Sequence, residues 1–222
     1  MAVFDFDDEN QTLNILNGTL GDDLLIASVA GPYFMYGNDG NDILIGGSSD
    51  DFLVGGRGAD RLIGGDGIDF ANYSESSMGV VVTLPSGEGS EGRGYTGDAV
   101  GDRLINVEGL IGSAFNDHLV GGTGNDFLYG GLGGDVFVLT SGGNDVIIDF
   151  RPEDGDRLQL GYANNPNMLA AIADSAVNAT AYGVEGTLLV LPGNYNGGHA
   201  SQIDGTVFLA GVNADTVSDW LF

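Results

Sequence analysis

The sequence predicts an all-β fold, a parallel β-roll (β-solenoid), on three observations. A nine-residue segment recurs along the chain, its sixth position is aspartate, and its eighth position is apolar. In each copy, about six turn-forming residues precede about three strand-forming residues. Two copies make one coil of about 18 residues, so copies two apart stack roughly 4.8 Å from each other.

The copies form two blocks. The first block reads GNDGNDILI (37–45), GGSSDDFLV (46–54), GGRGADRLI (55–63) and GGDGIDFAN (64–72). The second reads GSAFNDHLV (112–120), GGTGNDFLY (121–129) and GGLGGDVFV (130–138). An outlying copy, GTLGDDLLI (18–26), precedes them, and a degenerate copy lies around 141–150. Position eight, which we expect to face the core, holds Leu25, Leu44, Leu53, Leu62, Ala71, Leu119, Leu128, Phe137 and Ile147.

The repeated aspartates predict calcium sites between the turns. Stacking places Asp42 over Asp60, Asp51 over Asp69 and Asp117 over Asp135, where bare carboxylates ~5 Å apart repel one another. A calcium ion between the carboxylates replaces this repulsion with attraction, because it takes six to eight oxygen ligands from carboxylates and backbone carbonyls. We predict several Ca²⁺ ions, with carboxylate ligands from Asp23, Asp42, Asp51, Asp60, Asp69, Asp117, Asp126, Asp135 and Asp145. The turn residues predicted to complete the sites are Gly37, Asn38, Gly40, Gly46, Gly47, Gly55, Gly56, Gly58, Gly64, Gly65, Gly67, Gly121, Gly122, Gly124, Gly130, Gly131 and Gly133.

Composition favours a cation as partner and excludes other classes. Acidic residues number 32 against six basic ones, for a net charge of −26. So negative an electrostatic field argues against binding of nucleic acid or anionic lipid, because both need basic patches on the protein. The chain has no cysteine, and no apolar run approaches the ~18 residues of a membrane span. The N-terminal sequence MAVFDFDDEN lacks the basic and apolar stretches of a secretory signal.

Gly-Gly-x-Gly-x-Asp-apolar nonapeptides across residues 18–160 resemble the calcium-binding repeats of the RTX (repeats-in-toxin) family. The segment YSESSMGVVVTL, which opens residues 73–111, belongs to a pattern that resembles the insert of mannuronan epimerase modules and large RTX adhesins. FRPEDGDRLQL (150–160) and the ending GVNADTVSDWLF resemble serralysin-type proteases. In that family the C-terminus is an uncleaved signal for type I secretion. The resemblance therefore implies export by that machinery to the outside of a Gram-negative bacterium.

These patterns divide the chain into five predicted regions. They are an N-terminal strand or cap (1–17), a first repeat block (18–72), a solenoid insert without calcium (73–111), a second repeat block (112–160) and a C-terminal cap with the secretion signal (161–222). Within the cap, residues 166–177 have helical spacing, and 186–191 and 206–209 have strand character. The alternative for residues 73–111 is a loop that folds over one face.

Outward positions seven and nine are also apolar in many copies, for example at Ile43, Phe52 and Phe127. Strands that are apolar on both faces are usually covered on both. Two explanations stay open. The insert and the C-terminal module cover these residues, or they form a contact between subunits.

We expect no enzymatic activity. Neither His118 nor His199 belongs to a metalloprotease motif, and most carboxylates are assigned to calcium. One expected function is that of an extracellular structural protein of a matrix, surface layer, filament or adhesin, with self-assembly into a homo-oligomer or filament. The alternative is a calcium-dependent polysaccharide-binding module like those of alginate epimerases.

Overall fold

The computed structural model describes residues 14–28, 30–87, 89–140, 142–160, 176–181, 184–192, 203–212 and 214. These residues contain nineteen strands and two short 3₁₀ turns, Gly97–Ala99 and Pro152–Asp154. The strands are β1 (Asn14–Asn17), β2 (Leu24–Ile26), β3 (Tyr33–Asp39), β4 (Ile43–Gly47), β5 (Phe52–Arg57), β6 (Arg61–Gly65), β7 (Phe70–Asn72), β8 (Val81–Thr83), β9 (Gly92–Thr96), β10 (Arg103–Ile105), β11 (Gly109–Ile111), β12 (His118–Val120), β13 (Phe127–Tyr129), β14 (Val136–Leu139), β15 (Asn144–Ile147), β16 (Arg157–Leu160), β17 (Val177–Ala181), β18 (Val184–Pro192) and β19 (Ile203–Ala210).

Two sheets wind around one core. Within the described residues, sheet A has the order β1-β3-β5-β7-β11-β13-β15-β19-β18-β17, and sheet B has the order β16-β14-β12-β8-β9-β10-β6-β4-β2. Consecutive repeats alternate between the sheets, and repeats two apart pair in parallel: Leu44 lies opposite Leu62, and Leu53 lies opposite Ala71. The predicted parallel β-roll is therefore confirmed.

Position eight forms the core, as predicted. From the second copy onward these side chains are fully buried, including Leu44, Leu62 and Phe137 at 0% exposure, whereas Leu25 near the N-terminal end is half-buried. Stacked copies of one apolar residue fill the space between the sheets. The core thus follows directly from the nine-residue period.

The outward apolar residues behave differently on the two sheets. On sheet A they are buried in a second cluster, in which Phe52 stacks on Phe34 and on Phe70 with ring centroids 4.6 and 5.1 Å apart. On sheet B, Ile43 is 37% exposed and Leu24 is 60% exposed. The middle of the outer face of sheet A is therefore a buried apolar layer, whereas these residues of sheet B face solvent.

Residues 73–111 add strands to both sheets. Strand β10 pairs in parallel with β6, and β11 inserts between β7 and β13. Strands β8 and β9 add an antiparallel pair to sheet B, where β9 lies between β10 and β8. The described residues of the insert therefore contribute strands to both sheets.

The C-terminal region extends sheet A. Strand β19 pairs in parallel with β15, and β18 and β17 follow in antiparallel order. Strands β18 and β19 contain the predicted strand segments. The predicted helix over 166–177 lies outside the described residues except at its end, where Val177 already begins β17. Across the described part of the chain, no helix is long and apolar enough to cross a membrane.

Shortening one core leucine should destabilise the fold far more than shortening its outward neighbour. Leu62→Ala removes a fully buried side chain, and we expect a loss of about 2–5 kcal/mol in the free energy of unfolding. Ile63→Ala, on the half-buried outer face, should cost about 1 kcal/mol or less. Urea unfolding at saturating calcium measures both values. Equal losses would contradict the inward assignment of position eight.

Candidate metal centre

Carboxylates form two columns along the edges of the roll, each at or directly before the start of a strand. We call them the B-column, which precedes strands of sheet B, and the A-column, which precedes strands of sheet A. The B-column consists of Asp23, Asp42, Asp60, Asp102, Asp117, Asp135 and Asp156. The A-column consists of Asp51, Asp69, Glu108, Asp126 and Asp145. All nine predicted aspartates therefore lie in one column or the other.

One oxygen of most of these carboxylates links two coils. The backbone N–H of Asp42 donates to Oδ1 of Asp60 at 2.8 Å, across 18 residues of chain. Asp51 donates in the same way to Asp69 at 2.9 Å, and Asp117 donates to Asp135 at 2.9 Å. Such a charge-assisted bond satisfies a buried amide and holds neighbouring turns in register.

The second oxygen of five carboxylates has no donor. Oδ2 is buried without a hydrogen-bond partner among the described residues in Asp42, Asp51, Asp60, Asp69 and Asp126. A buried, unpaired carboxylate oxygen carries a large desolvation cost unless a cation or a donor meets it. These five atoms are therefore the strongest structural indication of a cation site.

Glycine at position one makes room for that oxygen. A Cβ atom added to Gly55 would overlap Oδ2 of Asp60, and the same holds for Gly46 with Asp51. The backbone at Gly56, with φ of +95°, approaches the carbonyl oxygen of Asn38 so closely that no side chain fits. Carbonyl and carboxylate oxygens thus converge on the turns, and this is the donor set that calcium accepts.

Burial raises the pKa of these carboxyl groups. It raises the pKa of Asp69 to about 8, and the negative charges of Asp51 and Glu108 add to the rise. Burial likewise raises the pKa of Asp60 to about 6 and that of Asp126 to about 7. Burial thus disfavours the charged form of these carboxyl groups, and a divalent cation beside them would stabilise that form.

Four column carboxylates already have protein donors for the second oxygen. The Arg151 N–H donates to Oδ2 of Asp156 at 2.7 Å. Thr19 donates to Oδ2 of Asp23 through its N–H at 2.6 Å and its Oγ1 at 2.8 Å. The Ser113 N–H donates to Oδ2 of Asp117 at 2.6 Å. The Tyr73 hydroxyl donates to Oδ2 of Asp102 at 3.0 Å. The predicted ligands Asp23 and Asp117 therefore differ in their surroundings from the five above.

Sequence reasoning missed three members of the columns, Asp102, Glu108 and Asp156. Asp102 accepts the N–H of Asp60 at 2.8 Å, and Oε2 of Glu108 accepts that of Asp69 at 3.0 Å. The signal was present, because GDAVGDRLI (97–105) fits the nonapeptide with Asp102 at position six and Leu104 at position eight. The A-column therefore runs without interruption through the insert.

No group of three or more His, Cys, Asp or Glu side chains gathers at one point in the described ranges. This agrees with the column arrangement, since each turn contributes a single carboxylate. A cation between two turns would take its remaining ligands from backbone carbonyls.

A parallel roll of two sheets, with stacked glycine-rich acidic turns, is the architecture of a calcium-binding solenoid. The model of the RTX calcium-binding nonapeptide repeat family matches residues 36–71 and 110–137, in four copies. These two stretches are therefore RTX calcium-binding nonapeptide repeats, and such repeats bind several Ca²⁺ ions. No curated protein sequence matches the chain. The finer resemblances to serralysins, epimerase modules and adhesins stay predictions.

The pKa shifts predict that the calcium-free fold weakens as pH rises. The aspartates titrate near 3.8 when exposed, whereas Asp69 titrates near 8 in the fold, so the folded chain binds more protons between these values. Stability falls with pH wherever the folded state holds more protons. In chelator, the β-structure measured by circular dichroism should therefore decrease from pH 5 to pH 8. Calcium at pH 8 should restore it. More β-structure at pH 8 than at pH 5 in chelator would contradict the burial of these groups.

The glycine contacts predict a contrast between two alanine substitutions. Gly55→Ala would displace the Asp60 carboxylate, so we expect weaker calcium binding and a loss of more than about 1 kcal/mol in stability. Gly124→Ala meets no atom within 4 Å and should change stability by no more than about 0.5 kcal/mol. Calorimetric calcium titration and thermal unfolding of both variants measure the difference. Similar behaviour of the two would show that position one tolerates a side chain.

Proposed function

We propose that the protein is secreted by a Gram-negative bacterium and folds in extracellular calcium, where it serves as a structural or adhesive surface protein. RTX repeat proteins are typically secreted by such bacteria. The observation that carries the proposal is the set of five buried, donorless Oδ2 atoms. The same side chains that join the coils oppose folding until a cation neutralises them.

The proposed ligands are the columns' carboxylates together with carbonyls of the glycine turns. The principal carboxylates are those with donorless oxygens, with Asp135 and Asp145 as further ligands because burial raises the pKa of each to about 7. Glu108 continues the A-column between Asp69 and Asp126. The protein donors at Asp23, Asp102, Asp117 and Asp156 make those turns weaker candidates.

The energetics match a switch between cell interior and exterior. Extracellular calcium modules bind with Kd values of about 10⁻⁴–10⁻³ M, so the sites stay empty at cytosolic calcium. Calcium at about 100 times Kd stabilises each site by about 2.7 kcal/mol. Several sites together reach the ~5–15 kcal/mol of a stable domain. In this proposal the unfolded polyanion passes through type I secretion machinery and folds outside.

Exposed apolar side chains at one end of the roll support self-association. Among the described strands, β1 and β2 are the first strands of the two sheets. Ile15 on β1 is 59% exposed, and Leu24 on β2 is 60% exposed. Strand edges with apolar side chains invite pairing with another chain. A matrix or surface-layer role uses such contacts between copies.

A calcium titration of two variants in one turn tests the proposal. Asp69→Asn removes a buried charge, so it should lower the number of bound calcium ions by at least one. It should also raise the calcium concentration for half-folding about tenfold, which is ~1.4 kcal/mol. In chelator it should stabilise the chain, since a desolvated anion is gone. Asp66→Asn, at an exposed position of the same turn, should change neither value.

Circular dichroism follows folding in this experiment, and sedimentation follows assembly. The wild-type chain should gain β-structure cooperatively in millimolar calcium and sediment as larger species. Equal β-structure in chelator and in calcium would overturn calcium-dependent folding. Purely monomeric sedimentation in calcium would overturn the assembly role alone.

A further inference from the structure

The fold gathers three of the six arginines into one row on the outer face of sheet B. Arg103 on β10 lies directly opposite Arg61 on β6 and directly opposite Arg93 on β9. All three side chains are exposed, and Leu62 and Leu104 beside them point into the core. We call Arg61, Arg103 and Arg93 the arginine row. Its members follow one another at the strand spacing of ~4.8 Å.

The arginine row is a local reversal of charge in a chain of net charge −26. Like charges directly opposite each other across strands are destabilising, so the arrangement has a cost within the fold. Elsewhere in sheet B the same outward positions hold several residue types, among them isoleucine, valine and histidine at Ile43, Val136 and His118 and an isolated arginine at Arg157. The packing of the sheet therefore does not require arginine there.

One carboxylate of the protein shows what the arginine row binds. Oε2 of Glu91 lies 3.4 Å from Nη1 of Arg103 and 4.0 Å from Nη2 of Arg93, at the solvent-exposed surface. Arg61 has no carboxylate within salt-bridge distance among the residues that the structure describes. Guanidinium groups bind carboxylates in a bidentate manner. Arg61, and the free N–H groups of Arg103 and Arg93, can therefore bind further carboxylates.

An exposed aromatic ring lies beside the arginine row. Tyr95 is two residues after Arg93 on β9, at a register shift between β9 and β8, and it is 54% exposed. Ile63 and Ile105 lie half-buried on the same face as the arginine row. A tyrosine ring combines an apolar face with a polar tip, as suits the face of a sugar ring. Arginines beside such a ring fit a ligand with both sugar rings and acidic groups.

We propose that the arginine row and Tyr95 bind a polysaccharide whose sugars carry carboxylates. A nucleic acid is disfavoured because many phosphates would meet the surrounding acidic surface, while only three arginines attract them. A second copy of the chain offers carboxylates but gives no reason for the exposed ring. The site rests on the proposed calcium-folded state, because 42 residues separate Arg61 from Arg103, and only the pairing of β6 with β10 makes them neighbours.

Calorimetry with a galacturonic acid hexamer tests this inference, with maltohexaose as the uncharged probe. The hexamer avoids the gels that long acidic chains form with calcium. At constant millimolar free calcium, the wild-type chain should bind the hexamer and not maltohexaose. Arg61→Gln and Arg103→Gln should each weaken binding at least about tenfold, and Tyr95→Ala should weaken it severalfold. Arg157→Gln, an exposed arginine on β16 of the same sheet, is the matched control and should stay within twofold.

Circular dichroism of each variant in calcium separates this inference from the proposed function. A chain that does not fold in calcium would overturn the proposed function. A chain that folds but does not bind the hexamer would overturn the polysaccharide site alone. Unchanged binding by Arg61→Gln and Arg103→Gln would also overturn it, because calcium would then be the bridge. Loss of self-association in these variants without any hexamer binding would assign the arginine row to a second copy instead.

Discussion

The whole roll depends on the carboxylate that stands between consecutive coils. One of its oxygens accepts the amide of the coil before it, as Asp60 does from Asp42, and the other oxygen is buried without a donor. The same side chain therefore aligns the stack and opposes its formation. The balance between these effects is set by whatever cation meets the second oxygen, so folding and ion binding are one equilibrium rather than two.

The need for glycine in the turns follows from the same constraint. The turns of neighbouring coils approach so closely that a Cβ on Gly58 would overlap the carbonyl oxygen of Gly40. The close approach brings carbonyl oxygens beside the carboxylates, where a hard cation can use both. Glycine lowers the stability of the turn by itself, because an unfolded glycine has much freedom to lose. That loss makes the fold still more dependent on the ion.

The regular part of the fold could be predicted because one period governs both core and ligands. The ligand aspartate and the core residue are two positions apart in each repeat, as Asp42 and Leu44 are, so the sequence alone places both. The prediction missed Asp102 and Glu108 as column members. Their partners Asp60 and Asp69 lie 42 and 39 residues away, and a search at the 18-residue spacing does not connect them. The repeat pattern also could not predict that the outer faces of the two sheets differ in burial. Phe52 and Ile43 occupy equivalent repeat positions, yet only the structure shows that one is buried and the other partly exposed.

The arginine row shows how an insert can change what a repeat presents to solvent. Strand β10 lies outside the 18-residue spacing of the repeats but keeps the register of the sheet, and β9, which precedes it in the chain, runs antiparallel beside it. Three positions that are remote or unrelated in the sequence thus become neighbours on one face. Since this pairing exists only in the folded roll, any ligand of the row binds the folded state alone. Linkage then requires that such a ligand and calcium strengthen each other's binding, although the two sites share no side chain.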